Sequence, residues 1–139
     1  NHPVRSSGPF TAWRLMAVFA ACLLTAATLH AAPIVILTGE VVDLICLKEK
    51  GAAGRGPGHE ACAVRCAREG KPMGLLTADA LYVIEGDFTA RSNMKLIDFA
   101  GRTVIAKGTV SERDGQKRLN VWAMNVPLAK KLKKQREQP

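Results

Sequence analysis

Aromatic residues are scarce in this chain, at 5% of its 139 positions. Beyond residue 32 they are Tyr82, Phe88, Phe99 and Trp122. Single-stranded nucleic acid is held by stacked rings along a basic groove, so this composition argues against a nucleic-acid partner. Trp122 fits either an exposed interface or packing at the edge of a core. Several redox and phosphate signatures are also missing. There is no Cys-x-x-Cys for a thioredoxin-like exchange site and no Cys-x-x-Cys-His for covalent haem attachment. The glycine-rich stretch 51–58 lacks the Gly-Lys-Ser/Thr ending of a phosphate loop. Acid–base catalysis needs a positioned partner for its carboxylate. Asp43 and Asp87 have none in view and read as surface or turn residues. These absences favour the expectation of a non-enzymatic domain over an enzyme.

The formal charge of +8 is unevenly spread. From Pro33 onward there are 18 Lys/Arg against 12 Asp/Glu, a balance of +6. The tail holds Lys130, Lys131, Lys133, Lys134 and Arg136 against Glu137, which is +4, so positions 33–127 carry +2. A nearly balanced body offers no basic face to follow phosphates. The tail reads as a solvated end, or as an attraction to anionic lipid headgroups or an acidic partner.

What the chain does have is an apolar N-terminal run of 18 residues, Leu15 to Ala32, preceded by Arg5 and Arg14. A basic start, an apolar middle and small residues at the end describe an export signal. The cleavage motifs, Thr25-Ala26-Ala27 and Leu29-His30-Ala31, are approximate. Phe19-Ala20-Ala21-Cys22 is a loose lipobox followed by more apolar residues, which speaks against lipidation. The same run is near the lower limit for a membrane span, so an uncleaved hydrophobic helix with its basic end in the cytoplasm is the competing expectation. The expected organisation is a signal peptide or membrane anchor over 1–32, a domain over 33–127 and a basic tail over 128–139. The expected location is the periplasm, soluble or tethered to the inner membrane.

Beyond the apolar run lie three cysteines, Cys46, Cys62 and Cys66. Exported cysteines tend to form disulfides unless something holds them reduced, and three cannot all pair within one molecule. His59 adds a fourth donor. His59, Cys62 and Cys66 are spaced i, i+3 and i+7, which on a helix confines them to an arc of about 60°. Thiolate and imidazole suit soft and borderline ions such as Cu(I) and Zn²⁺. The expected metal ligands are therefore Cys46, His59, Cys62 and Cys66, with copper or zinc as cofactor. In the competing expectation, Cys46 bonds to Cys62 or Cys66 and pins the helix to the body of the domain, stabilising it by about 2–4 kcal/mol. Met73, Met94 and Met124 offer soft sulfur too, but methionine mostly fills cores.

Positions 34–47 are rich in β-branched residues and predict a strand, with Gly39 as a bulge or bend. A loop is expected over 48–58 and a helix over 59–69, stopped by Gly70 and Pro72. Short strands follow at 73–77 and 81–85, then a helix over 94–100 capped by Ser92 or Asn93. A hairpin closes the pattern, turning at Asp114-Gly115, with Leu119, Val121 and Ala123 on one face of its return strand. This order predicts a mainly β fold: a five-stranded OB-like barrel with the Cys/His-bearing helix between strands 1 and 2.

The stretches Gly39-Glu40-Val41-Val42-Asp43-Leu44-Ile45-Cys46, His59-x-x-Cys62-Ala63-x-x-Cys66-Ala67 and Gly70-Lys71-Pro72-Met73-Gly74-Leu75-Leu76 resemble an exported bacterial family of small, uncharacterised OB-like proteins. The likeness extends over positions 38–126. It implies the fold and a shared Cys/His constellation, and no particular activity. The chain departs from the pattern at Asp79-Ala80, where an Asp-Gly turn is expected. Two functions remain in view: binding a thiophilic metal, or serving as an accessory subunit of a membrane-bound complex in which the cysteines only brace the domain.

Overall fold

A computed structural model describes residues 31–128. The apolar run up to position 30, with Cys22, and the basic tail from position 129 lie outside the described residues. No helix among the described residues is long and apolar enough to cross a membrane.

Five strands make up the body: β1 (Ile34–Asp43), β2 (Met73–Leu76), β3 (Leu81–Glu85), β4 (Thr103–Arg113) and β5 (Gln116–Asn125). They form a mixed sheet that closes in a ring, in the order β1-β2-β3-β5-β4 with β4 back on β1. Every pairing is antiparallel except β3 with β5, which is parallel. Two helices, α1 (Leu44–Lys50) and α2 (Glu60–Arg68), stand between β1 and β2. The mainly β architecture and the inserted Cys/His helix therefore agree with the sequence pattern.

β1 serves two neighbours. Ile34 to Glu40 pair with β4, and Glu40 to Asp43 pair with β2. Gly39 sits where the partners change and does not interrupt the strand. A Cβ there would lie 2.5 Å from the Leu76 carbonyl oxygen, so a missing side chain lets the two backbones approach. Inside the ring, Val41, Leu75, Val104, Ala106, Leu119 and Val121 pack with Met73, Met124 and Leu96. Met73 and Met124 are thus core residues, whereas Met94 is exposed.

The hairpin forms as expected, with Asp114 and Gly115 both at positive φ, 54° and 71°, as a two-residue primed turn requires. Its return strand does not hold one face throughout. Lys107 pairs with Ala123 but Gly108 pairs with Val121, so Trp122 is an extra residue in β5. This bulge turns Ala123 outward and brings Met124 into the core. Trp122 itself is half exposed.

Two further expectations are corrected. The first strand ends at Asp43, not at position 47, and positions 44–50 are helical instead of strand and loop. The reason is the Asp43 carboxylate: its Oδ1 accepts the backbone N–H of Ile45 at 2.7 Å and of Cys46 at 3.2 Å, which starts a helix. The regular helix expected over 94–100 is absent. Short 3-10 turns at Asp87–Thr89 and Ile97–Phe99 flank a left-handed turn in which Arg91, Ser92 and Asn93 have φ of 50°, 55° and 60°. Asn93 does not cap a helix of its own. Its side chain turns inward, and Nδ2 donates to the carbonyls of Ala67 at 3.1 Å and Lys71 at 2.8 Å, at the end of α2.

Candidate metal centre

The site is assembled where β1 runs into α1 and α2 packs across it. Asp43 starts α1, and Cys46 follows three residues later on the first turn. Between α1 and α2 the chain is compact: 3-10 turns at Gly51–Gly54 and Pro57–His59 fill the segment expected as loop. Gly54 presses so closely on α1 that a Cβ there would overlap the Cys46 carbonyl. The Gly56 N–H donates to Glu40 Oε1 at 2.6 Å, and the His59 N–H donates to the Gly56 carbonyl at 3.0 Å. These contacts tie the segment to β1 and deliver His59 to the start of α2.

α2 is held at both ends. Glu60 lies in its first turn, where a negative charge favours the helix dipole, and accepts from Arg102 Nε at 3.1 Å. At the far end the Gly70 N–H donates to Ala67 and the Lys71 N–H to Cys66, a Schellman closure with Gly70 at φ +73°. The buried face consists of Ala63, Cys66 and Ala67. Small residues at i, i+3 and i+4 let the helix lie close to the ring, which brings its thiols to α1.

Donor atoms gather in two overlapping groups. One atom each from Cys46, His59 and Cys62 lie within 4.8 Å of one another, and so do one atom each from Asp43, Cys46 and Cys66. All four residues expected from the sequence therefore take part, and they lie close enough to hold a metal. They do not form the single four-donor set that the spacing suggested: Cys46 is common to both groups, and Cys66 sits with Asp43. The three thiols are free, with no sulfur–sulfur bond. His59 is 7% exposed and Cys66 3%, whereas Cys62 reaches solvent.

Asp43 is the correction at this site. Read from sequence as a surface or turn residue, it is fully buried. Its spacing from Cys46, i to i+3 behind a helix-starting aspartate, was the available signal. Asp87 does sit at the surface, paired with Lys95.

Two buried polar atoms here accept no hydrogen bond of good geometry: Asp43 Oδ2 and His59 Nε2. Leaving such an atom unmatched costs about 1–3 kcal/mol, and each is the kind of atom that ligates a metal. The charges around them are arranged unequally. Burial works against an ionised Asp43, but the Cys66 thiol and the backbone N–H groups of Cys46 and Ile45 outweigh it and hold the carboxyl below its ordinary value. Burial and the nearby Asp43 carboxylate push the Cys46 thiol up. The same two causes, in that order, push Cys66 up to about 12. Burial also acts against a Cys62 thiolate, yet the Cys46 thiol and the Arg65 guanidinium prevail and lower it. Arg65 Nη2 is 3.5 Å from Cys62 Sγ, and Lys71 Nζ is 3.7 Å from Cys66 Sγ.

Compared with known proteins, the chain matches no family model, no curated protein and no solved structure. Its function must be argued from the donor groups themselves.

Proposed function

We propose that this chain is an exported, non-enzymatic OB-like domain whose Cys/His cluster binds a thiophilic metal, copper or zinc. The observation that carries the reading is His59 Nε2. A buried imidazole nitrogen without a hydrogen bond, beside two unbonded thiols, is what a ligand set looks like. Cu(I) accepts few soft donors, so the group of Cys46, His59 and Cys62 suits it. Zn²⁺ favours four donors and would draw the fourth from a neighbour or from water. The likeness to exported OB-like sequences and the apolar N-terminal run support the periplasm as its place of work.

Native mass spectrometry after anaerobic incubation with Cu(I) or Zn²⁺ tests this. The expected result is a metal-bound species for the whole chain. His59→Ala should lose the ion held by Cys46 and Cys62 while keeping its circular dichroism spectrum. Unchanged metal retention in that variant overturns the reading.

A second reading has its own observation. Ile34 and Ile36 on β1, Ile105 on β4 and Trp122 on β5 are all exposed, on strands that adjoin in the ring. Such exposed apolar side chains suit an accessory subunit of a membrane-bound complex. Co-purification with integral membrane proteins after detergent extraction is its expected outcome.

A further inference from the structure

The two donor groups are built alike. Each has the shared Cys46, one cysteine of its own, and one non-sulfur donor of its own. In the first group the private cysteine is Cys62 and the other donor is His59; in the second they are Cys66 and Asp43. Each private cysteine has a cation against its sulfur, Arg65 on Cys62 and Lys71 on Cys66. Each non-sulfur donor keeps a buried atom without a hydrogen bond, Nε2 on His59 and Oδ2 on Asp43. Asp43 uses Oδ1 to start α1, and its carboxylate also faces the Cys46 and Cys66 thiols. A single ion served by His59, Cys46 and Cys62 makes no use of the second donor group, Asp43, Cys46 and Cys66.

We infer that the site holds two metal ions, one in each group, with the Cys46 thiolate shared between them. The inference rests on the metal-binding reading above and extends it to a second position made by Asp43, Cys46 and Cys66. The carboxylate makes that position suited to a borderline dication of the zinc class, since oxygen is a poor donor for Cu(I). Charge supports the pair. Three thiolates and one carboxylate supply four negative charges, which two dications balance. Arg65 and Lys71 then remain as outer hydrogen-bond donors to the terminal sulfurs, a role that tunes and orients ligands.

The experiment is zinc titration of the full chain, read by native mass spectrometry under reducing conditions. Saturation at two zinc ions per chain is expected. Cys66→Ser and Asp43→Asn should each bind one, and His59→Ala should bind one through the other group. Asparagine keeps the helix-starting oxygen, so Asp43→Asn tests the ligand without removing the cap. The wild-type count needs no variant, and cobalt substitution gives a second readout: sulfur-to-cobalt absorption should rise until two equivalents are added. Saturation at one ion, or two ions retained by both Cys66→Ser and Asp43→Asn, overturns the inference and leaves the single-ion reading standing. No bound ion in the wild type overturns both.

Discussion

Cys62 differs from Cys46 and Cys66 in exposure and in charge. Its sulfur reaches solvent and has the Arg65 guanidinium at 3.5 Å, whereas the other two thiols are buried against the Asp43 carboxylate. Thiolate is the reactive form. Iodoacetamide should therefore label Cys62 first in the metal-free chain at neutral pH, with Cys66 slowest. Peptide mapping by mass reads the order, and Arg65→Ala should slow the first step. Equal labelling of all three thiols contradicts this account. The sequence made Cys62 a ligand candidate through its spacing from His59 and Cys66. It could not rank the three sulfurs, because Arg65 and Asp43 set that order through space. Asp43 shows the same limit from the other side. Its spacing from Cys46 was the one local sign, and it could not announce full burial, since the partners of Asp43 come from α2 as well as α1.

At the scale of elements, the site depends on how tightly the segment between α1 and α2 is folded. Gly54 lies against the Cys46 carbonyl, with no room for a side chain. Gly54→Ala should push the 3-10 turn off α1, with a destabilisation of about 1–3 kcal/mol as overpacking commonly costs. Urea unfolding measures it, and zinc binding should weaken in parallel because His59 follows five residues later. Gly58→Ala is the control, since nothing lies within 4 Å of a Cβ there. The sequence identified this segment only as a loop rich in glycine. It could not distinguish glycine used for close approach from glycine used for freedom. The helix α2, by contrast, was legible from its charges, its glycine stop and its proline. The hairpin of β4 and β5 was legible from alternation and the Asp-Gly turn. The left-handed turn at Arg91–Asn93 was not, because Asn93 is fixed by carbonyls at the end of α2 and just beyond it, more than twenty residues away.

For the whole molecule, a closed five-stranded ring of this size buries a modest core, so the centre should matter for stability. Ligand that binds only the folded chain stabilises it by about 2.7 kcal/mol at a hundredfold excess over its dissociation constant. Chelation should therefore lower the melting temperature, as calorimetry with and without zinc would read. The metal-free chain should also lose stability at both ends of the pH range. The folded-state pKa of Asp43 lies below 3.8, so its contribution is complete above that value and declines as pH falls through the lower, folded one. Cys66 is raised from 9.0 to about 12. Its contribution is complete below pH 9 and declines as pH rises from there toward 12. Asp43→Asn should flatten the acid limb and Cys66→Ser the alkaline one, measured by urea midpoints across pH.

The sequence alone determined the classes of element and the donor types. β-branched runs favour strands, a helix places i, i+3 and i+7 on one side, and thiols and imidazole bind soft ions wherever they meet. Tertiary structure alone decided which donors meet. The ring fixes β1, Asp43 converts its end into a helix, and small residues on α2 let that helix settle over it. Convergence of Asp43 and Cys46 with Cys62 and Cys66 is thus a property of packing between segments that local periodicity cannot encode.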